Sequence, residues 1–115
     1  MKKVFLLFFM VSFMSCQNDI ENFKLNGVIS NEEGSPLEGI EVKVICWYYG
    51  NSPDQSYSGE ETKKAITNNT GKYEMEFEKG AFIEILVDKS RFSKVHETLY
   101  ITNKTHTFNI KMKVK

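Results

Sequence analysis

The chain has 115 residues, carries 15 Lys and Arg against 15 Asp and Glu, and contains two cysteines. This length allows a single domain, and the balanced charge excludes the strongly basic surface by which proteins bind nucleic acids. Two cysteines are too few for the disulfide framework of a small cross-linked domain. We therefore expect one core held together by apolar packing, and no nucleic-acid partner.

The first fifteen residues differ in composition from the rest of the chain. Two lysines precede an apolar run at residues 4–13, and Ser15 then leads to Cys16. A membrane-spanning helix needs about 20 apolar residues, so this run is too short to remain in the bilayer. A charged start followed by a short apolar core is typical of a secretory signal peptide, and we assign residues 1–15 to one.

The letters FMSC at the end of this segment resemble a bacterial lipobox. The resemblance implies that the chain is cut before Cys16 and that the sulfur of this residue is acylated, which gives the protein a membrane anchor. Two or three acyl chains make such an anchor durable, because each buried CH₂ contributes about 0.8 kcal/mol. Residues 16–22 then form a lipidated cysteine and a short linker. The alternative is an ordinary cysteine near a cleavage site or inside a short hydrophobic helix.

Residues 23–115 show the alternation of apolar and polar residues that is typical of β-strands, in short runs separated by turn residues. No helix of useful length is predicted. The fifth run, FIEILV, is almost entirely apolar, and we expect it to be a central strand covered on both faces. Seven strands cannot bury their apolar faces as one sheet and should form two packed sheets. The predicted strands are residues 25–29, 40–44, 65–67, 73–77, 82–87, 94–101 and 108–114.

Two stretches, LNGVISNEEGSPLEGIEVKV and AITNNTGKYEMEF, resemble the carboxypeptidase regulatory-like domain, which is a transthyretin-like and immunoglobulin-like β-sandwich. A glycine–aromatic corner of the family is replaced here by Ser90, Arg91 and Phe92. The resemblance implies an all-β, seven-stranded, two-sheet interaction domain without a catalytic set of its own. The matching positions are Gly27, Gly34, Pro36, Leu37, Gly39, Val42, Val44, Thr67, Asn68, Gly71 and Tyr73.

A small lipoprotein with this domain resembles those of Bacteroidetes-type bacteria, which implies a place in the cell envelope at the outer membrane. Acidic residues just after the lipidated cysteine can direct such proteins to the cell surface. Asp19 and Glu21 are similar to that signal, although Ile20 interrupts the acidic run. A periplasmic and a surface-facing position both remain open.

The segment CWYYGNSPDQSYSGEET, residues 46–62, is the least family-like part of the chain. Long connections of this kind are often functional, and flat aromatic rings with adaptable polar neighbours bind sugars or anchor protein partners at low entropic cost. The candidate binding residues are therefore Trp47, Tyr48, Tyr49 and Tyr57. The alternative is that Trp47 and Tyr49 only cover the outer face of a sheet. Cys46, at the start of the segment, is expected to pack as a small apolar side chain.

The sequence offers no motif for catalysis or for metal binding. His96 and His106 have no Cys, Asp or Glu at a metal-ligand spacing, and no serine lies in a Gly-x-Ser-x-Gly elbow. Glu74, Glu76 and Glu78 share one face of a strand and are expected to be solvated rather than to form a glycosidase pair. We therefore expect no catalytic residue, no metal ion and no cofactor.

The function predicted from these features is that of a lipid-anchored, non-enzymatic interaction module of the cell envelope, which binds a protein or glycan through loops at one end. The alternative is an inhibitor or immunity lipoprotein that protects the cell from a toxin or a foreign hydrolase. A gene position beside a toxin gene would distinguish the two.

Overall fold

The computed structural model describes residues 19–50 and 56–115, so the predicted signal peptide, the predicted lipidation residue Cys16 and residues 51–55 lie outside the described ranges. Within those ranges the structure is all-β, as predicted, and contains no helix that could cross a membrane. Its eight strands are β1 (Ile20–Ser30), β2 (Glu41–Tyr48), β3 (Gly59–Ile66), β4 (Lys72–Gly80), β5 (Phe82–Val87), β6 (Val95–Tyr100), β7 (Thr105–Thr107) and β8 (Ile110–Lys111).

The strands form two sheets of four, which confirms the predicted two-sheet β-sandwich. In the first sheet, β1 lies between β4 and β7, and β8 pairs with the last residues of β1. In the second sheet the order is β3-β2-β5-β6, and each strand is antiparallel to its neighbours. Both β7 and β8 run parallel to β1, whereas β4 runs antiparallel to it.

The core lies between the two sheets and takes alternate residues from each strand, because successive side chains of a strand point to opposite faces. The rings of Phe23 and Phe77 stack there at a centroid distance of 5.1 Å. Cys46 is fully buried in the same core, as expected of a small apolar side chain, and its thiol donates to the carbonyl oxygen of Lys79 at 3.4 Å. Other residues of the core include Leu25, Ile29, Val42, Val44, Ile83, Ile85 and Met112.

The described residues have one strand more than the predicted seven, because β7 forms ahead of the last predicted strand, residues 108–114, and β8 is the part of that predicted strand that pairs. Between them, the side-chain oxygen of Asn109 accepts a hydrogen bond from the amide of Val28 at 2.9 Å. An asparagine side chain can replace a backbone partner in this way and so interrupt a ladder. Val114, which the alternation predicts to be buried, is 64% exposed.

Two further strands differ from their predictions. The third is longer than residues 65–67, because the full length of β3 pairs with β2, from Tyr48 opposite Gly59 to Glu41 opposite Ile66. The strand β5 is central in its sheet, as predicted, but it is not covered on both faces. One face is buried in the core, while the other is only half-buried under side chains of neighbouring strands. The described residues form two layers, and none of them adds a third layer over that outer face.

One end of the sandwich, which we call the N-terminal end, gathers the start of β1, the end of β2 and the start of β5. The chain passes there from the first sheet to the second at Ala81, between β4 and β5. The amide of Ala81 donates to the carbonyl of Trp47, and its carbonyl accepts from the amide of Ile101, both at 2.9 Å. The connection from β2 to β3 leaves the fold at this end. Three of the four candidate binding residues meet here, as described next.

Candidate binding surface

A row of aromatic rings crosses the outer face of the second sheet at the N-terminal end. Trp47 of β2 lies opposite Phe82 of β5, and Phe82 lies opposite Tyr100 of β6. Their chain neighbours Cys46 and Ile83 are fully buried in the core, so strand alternation places the three rings on the outer face. The rings of Phe82 and Tyr100 are 5.0 Å apart.

Two tyrosines that follow β2 in the chain extend this row. The ring of Tyr57 lies 6.1 Å from that of Trp47 and 6.2 Å from that of Phe82, and it stacks on Tyr49 at 4.9 Å. Tyr57 is 39% exposed and Tyr100 is 68% exposed. We call these five side chains, Trp47, Tyr49, Tyr57, Phe82 and Tyr100, the aromatic surface. An exposed group of contiguous rings of this kind is characteristic of an interaction site.

The fourth candidate, Tyr48, lies apart from the aromatic surface. Strand alternation turns its side chain to the opposite face of the second sheet, where the ammonium of Lys79 lies 4.6 Å from the ring centroid. Its ring also lies over Gly59, where a Cβ atom would come within 2.4 Å of the tyrosine oxygen. Tyr48 therefore packs between the edges of the two sheets.

A carboxylate holds the tryptophan of the aromatic surface in place. The indole N–H of Trp47 donates to Oε2 of Glu84 at 2.8 Å, and Nε2 of His96 lies 3.0 Å from Oε1 of the same residue. The hydrogen bond from Trp47 and then that from His96 lower the pKa of Glu84 below its ordinary value. Glu84 therefore stays ionised at neutral pH and fixes the orientation of the indole ring.

The hydroxyl group of Tyr57 is neutral at physiological pH. Burial against its neighbours, and then a hydrogen bond with Tyr49, raise the pKa of Tyr57 to about 12. The surface thus offers apolar rings with phenol hydroxyl groups, and the carboxylate of Glu84 at its margin. This combination suits contact with a sugar, with an apolar protein surface or with the boundary region of a bilayer.

Asp19 ties the beginning of the described chain to this surface. Its two carboxylate oxygens accept hydrogen bonds from the backbone amides of Tyr49 and Gly50, at 2.8 Å and 2.9 Å. On the other side of the same connection, the hydroxyl of Ser58 donates to the carbonyl oxygen of Tyr49 at 2.7 Å. The residue that resembles an export signal in the sequence therefore also fixes the start of the aromatic connection.

The sequence did not indicate Phe82, Tyr100, Glu84 or Asp19 as parts of the site. Phe82 and Glu84 share β5 and Tyr100 lies on β6, and they reach Trp47 only through the pairing of β2 with β5 and of β5 with β6. The pairing of two predicted apolar strands could have suggested Phe82. No sequence pattern marks the contact of Asp19 with Tyr49, because 29 residues separate them in the chain.

The histidines and the row of glutamates have other surroundings. His106 accepts hydrogen bonds from the amides of Thr102 and Asn103, both at 3.2 Å, and so closes the turn before β7. Among the described residues, no group of three or more His, Cys, Asp or Glu side chains lies close enough together to hold a metal ion. The three glutamates of β4 are exposed on the outer face of the first sheet: Glu74, Glu76 and Glu78.

No protein-family model matches the sequence, and no curated protein matches it. Solved structures do share the fold. The 3-chlorocatechol 1,2-dioxygenase of Rhodococcus opacus 1CP has a TM-score of 0.63 at 10% identity, and the hydroxyquinol 1,2-dioxygenase of Pseudomonas putida DLL-E4 has 0.59 at 11%. The matches cover 83% of this chain and 60% and 57% of those chains. The chain thus spans less than two thirds of the length of these dioxygenases.

A third similar structure is the TIE protein of Bacillus anthracis, with a TM-score of 0.58 at 12% identity, covering 82% of this chain and 17% of that one. At such identities the likeness shows the β-sandwich fold alone. It nevertheless overturns the prediction that the chain is not an enzyme, because that prediction relied on the kind of domain, and this fold occurs within catechol and hydroxyquinol 1,2-dioxygenases. We therefore correct that prediction.

Proposed function

We propose that this protein is a lipid-anchored module of the bacterial cell envelope, held at the outer membrane through Cys16, which binds a protein or glycan partner at the aromatic surface. The observation that carries the proposal is the meeting of five aromatic side chains beside the point where the chain arrives from Cys16. Buried or half-buried aromatic anchors dominate the energetics of many binding sites. The partly exposed rings of Tyr57 and Tyr100 leave room for such a contact.

We further propose that the domain belongs to the carboxypeptidase regulatory-like class, with its transthyretin-like and immunoglobulin-like architecture. Support comes from the motif residues, several of which have specific structural roles. The hydroxyl of Thr67 accepts from the amide of Ile40 and donates to the carbonyl of Leu37. Gly39 and Gly71 have positive φ angles of 78° and 77°, which side-chain-bearing residues rarely adopt.

Binding at the aromatic surface is tested by replacing Trp47, Tyr49 and Tyr57 together with alanine and measuring retention of partners from envelope extracts, alongside binding to a panel of envelope glycans. Loss of at least one specific partner is expected. The matched control carries Ile66→Ala and Val114→Ala, which remove two exposed apolar side chains elsewhere on the fold. Unchanged binding by the triple variant would remove the aromatic surface from the proposal.

The anchor is tested separately by the intact mass of the protein purified from membranes. Acylation at Cys16 predicts a chain that starts at this residue and is heavier than its sequence by the mass of the acyl groups. A Cys16→Ser variant serves as the control and should no longer fractionate with membranes. Protease treatment of intact cells then distinguishes a surface-facing from a periplasmic position.

A further inference from the structure

The aromatic surface lies close to the membrane if the protein is anchored as proposed. Asp19 is three residues from Cys16, and an extended chain spans about 3.3–3.6 Å per residue, so at most about 11 Å separate the two backbone positions. Asp19 is itself held against Tyr49 and Gly50 through two hydrogen bonds. The linker therefore has no slack by which the aromatic surface could move far from the bilayer.

The chemistry of this surface matches the boundary between lipid headgroups and acyl chains. Trp and Tyr are enriched at that depth in membrane proteins, because each combines an apolar ring with one polar group. The indole N–H of Trp47 already has a partner in Glu84, so the ring needs no water as acceptor. Tyr100 and Tyr57 present the most exposed rings of the group, and both belong to this end of the sandwich.

The charges nearby indicate which kind of bilayer fits. Asp19 and Glu21 lie at the start of β1, and Glu60 lies opposite Trp47 in the pairing of β2 with β3. Two lysines lie beside them, because Lys79 pairs opposite Glu21 and the ammonium of Lys104 donates to the carbonyl oxygen of Glu21 at 2.8 Å. The three carboxylates outnumber these two ammonium groups, so an anionic membrane surface offers this end no net attraction. A bilayer of zwitterionic lipids requires no such attraction.

From these observations we propose that the aromatic surface docks on the zwitterionic bilayer to which the protein is anchored, and that this contact sets the orientation of the domain. The inference rests on the lipid anchor of the proposed function. The bilayer then covers the aromatic surface when no partner is bound, and a protein or glycan partner has to displace it. The opposite end, with the turns that follow β1, β3 and β5, then points away from the membrane.

The test uses the fact that Trp47 is the one tryptophan of the chain. The full chain is expressed in a bacterial host, its acylation is checked by intact mass, and the protein is reconstituted into phosphatidylcholine vesicles that contain nitroxide-labelled lipids. Docking predicts a blue shift of the emission. It also predicts stronger quenching by a label near the headgroup than by one near the end of the acyl chain, since interfacial groups enter only about 5–10 Å.

Two variants keep the test specific. In Tyr57→Ser/Tyr100→Ser the two exposed rings are removed while the tryptophan remains, and the quenching should fall with little change in thermal unfolding. In Trp47→Phe/Val114→Trp the reporter moves to the other end of the sandwich, where Val114 is exposed and pairs with Phe92. That reporter should stay unquenched.

Several outcomes would overturn the inference, and only the first of them is also a failure of the anchor. An unmodified mass would overturn both the anchor and the docking. An acylated protein whose Trp47 is not quenched would overturn the docking alone. An emission change produced only by added peptidoglycan fragments would make a glycan the occupant instead. Equal quenching of a tryptophan at position 47 and of one at position 114 would mean that the domain has no fixed orientation. Stronger quenching of Trp47 with phosphatidylglycerol vesicles would contradict the choice of a zwitterionic surface.

Discussion

At the scale of single residues, the family-like motif has a structural explanation. Gly27 of β1 lies where the carbonyl group of Phe108 approaches the strand, and a Cβ atom there would be 1.9 Å from that oxygen. The hydroxyl of Tyr73, another motif residue, donates a hydrogen bond to the same oxygen. The glycine and the tyrosine therefore act together to hold the connection between β7 and β8 on the first sheet.

The first prediction concerns this contact. Gly27→Ala should lower the free energy of unfolding by about 3 kcal/mol, because the backbone of Phe108 has to move and the hydrogen bond from Tyr73 is disturbed. Urea denaturation measures the change. In the control Gly34→Ala, no atom lies within 4 Å of the new Cβ, and only the positive φ of 88° opposes it, at about 1 kcal/mol. Equal losses in the two variants would contradict the steric explanation.

The second prediction concerns Arg91, which lies in the connection between β5 and β6. Arg91 has a φ of 77°, and an L residue in the left-handed region costs about 1–2 kcal/mol. Glycine removes this cost but loses about 0.5–1 kcal/mol of chain entropy on folding, so Arg91→Gly should stabilise the protein by about 0.5–1 kcal/mol. Thermal unfolding measures it.

The control for this change is Asn22→Gly. Asn22 has a φ of 54°, and asparagine tolerates that conformation better than most residues. Its replacement should be close to neutral. A destabilised Arg91→Gly protein would mean that the arginine side chain makes contacts worth more than the strain of its backbone.

At the scale of elements, alternation within the sequence was sufficient to predict most strands but not their partners. The burial of every second residue in β2, β4 and β5 follows directly from the pattern. The polar strand β3 was missed over most of its length, because its pairing with β2 and not its own apolar residues defines it. The aromatic surface escaped prediction for the same reason, since Phe82 and Tyr100 join Trp47 only through strand register.

The third prediction tests how β2, β5 and β6 are linked across their outer face. The hydrogen bonds from Trp47 and His96 lower the pKa of Glu84, so ionised Glu84 stabilises the folded state at pH values above its unfolded pKa of about 4.5. This contribution is lost as the pH falls through the lower folded pKa. Glu84→Gln should therefore be less stable than the parent by about 1 kcal/mol at pH 7.

The difference between the two proteins should shrink as the pH falls through the lowered folded pKa of Glu84, because the carboxylate of the parent then becomes protonated. Denaturation curves of both proteins at pH 7, 5 and 3 measure it, and Glu97→Gln, an exposed position on β6, serves as the control with no expected difference. A constant difference at all three pH values would show that the glutamine disturbs packing rather than charge.

At the scale of the whole molecule, a single buried thiol reports how cooperatively the sandwich opens. Cys46 is fully buried, and desolvation, followed by the charges of Glu61 and Asp19, raises its pKa to about 12. Since the thiolate is the reactive form, the folded protein should react with a thiol reagent only through unfolded molecules. The rate should then follow the equilibrium population of the open state.

The last prediction concerns the effect of Gly27→Ala on the rate at which the thiol of Cys46 is labelled. If Gly27→Ala costs about 3 kcal/mol, it should speed the labelling of Cys46 about 100-fold, because each 1.4 kcal/mol is a factor of ten. Equal labelling rates in the two proteins would mean that Cys46 is reached by a local opening near Lys79, not by global unfolding. In concentrated guanidinium the acylated protein should show one reactive thiol per chain, whereas two would mean that Cys16 is free.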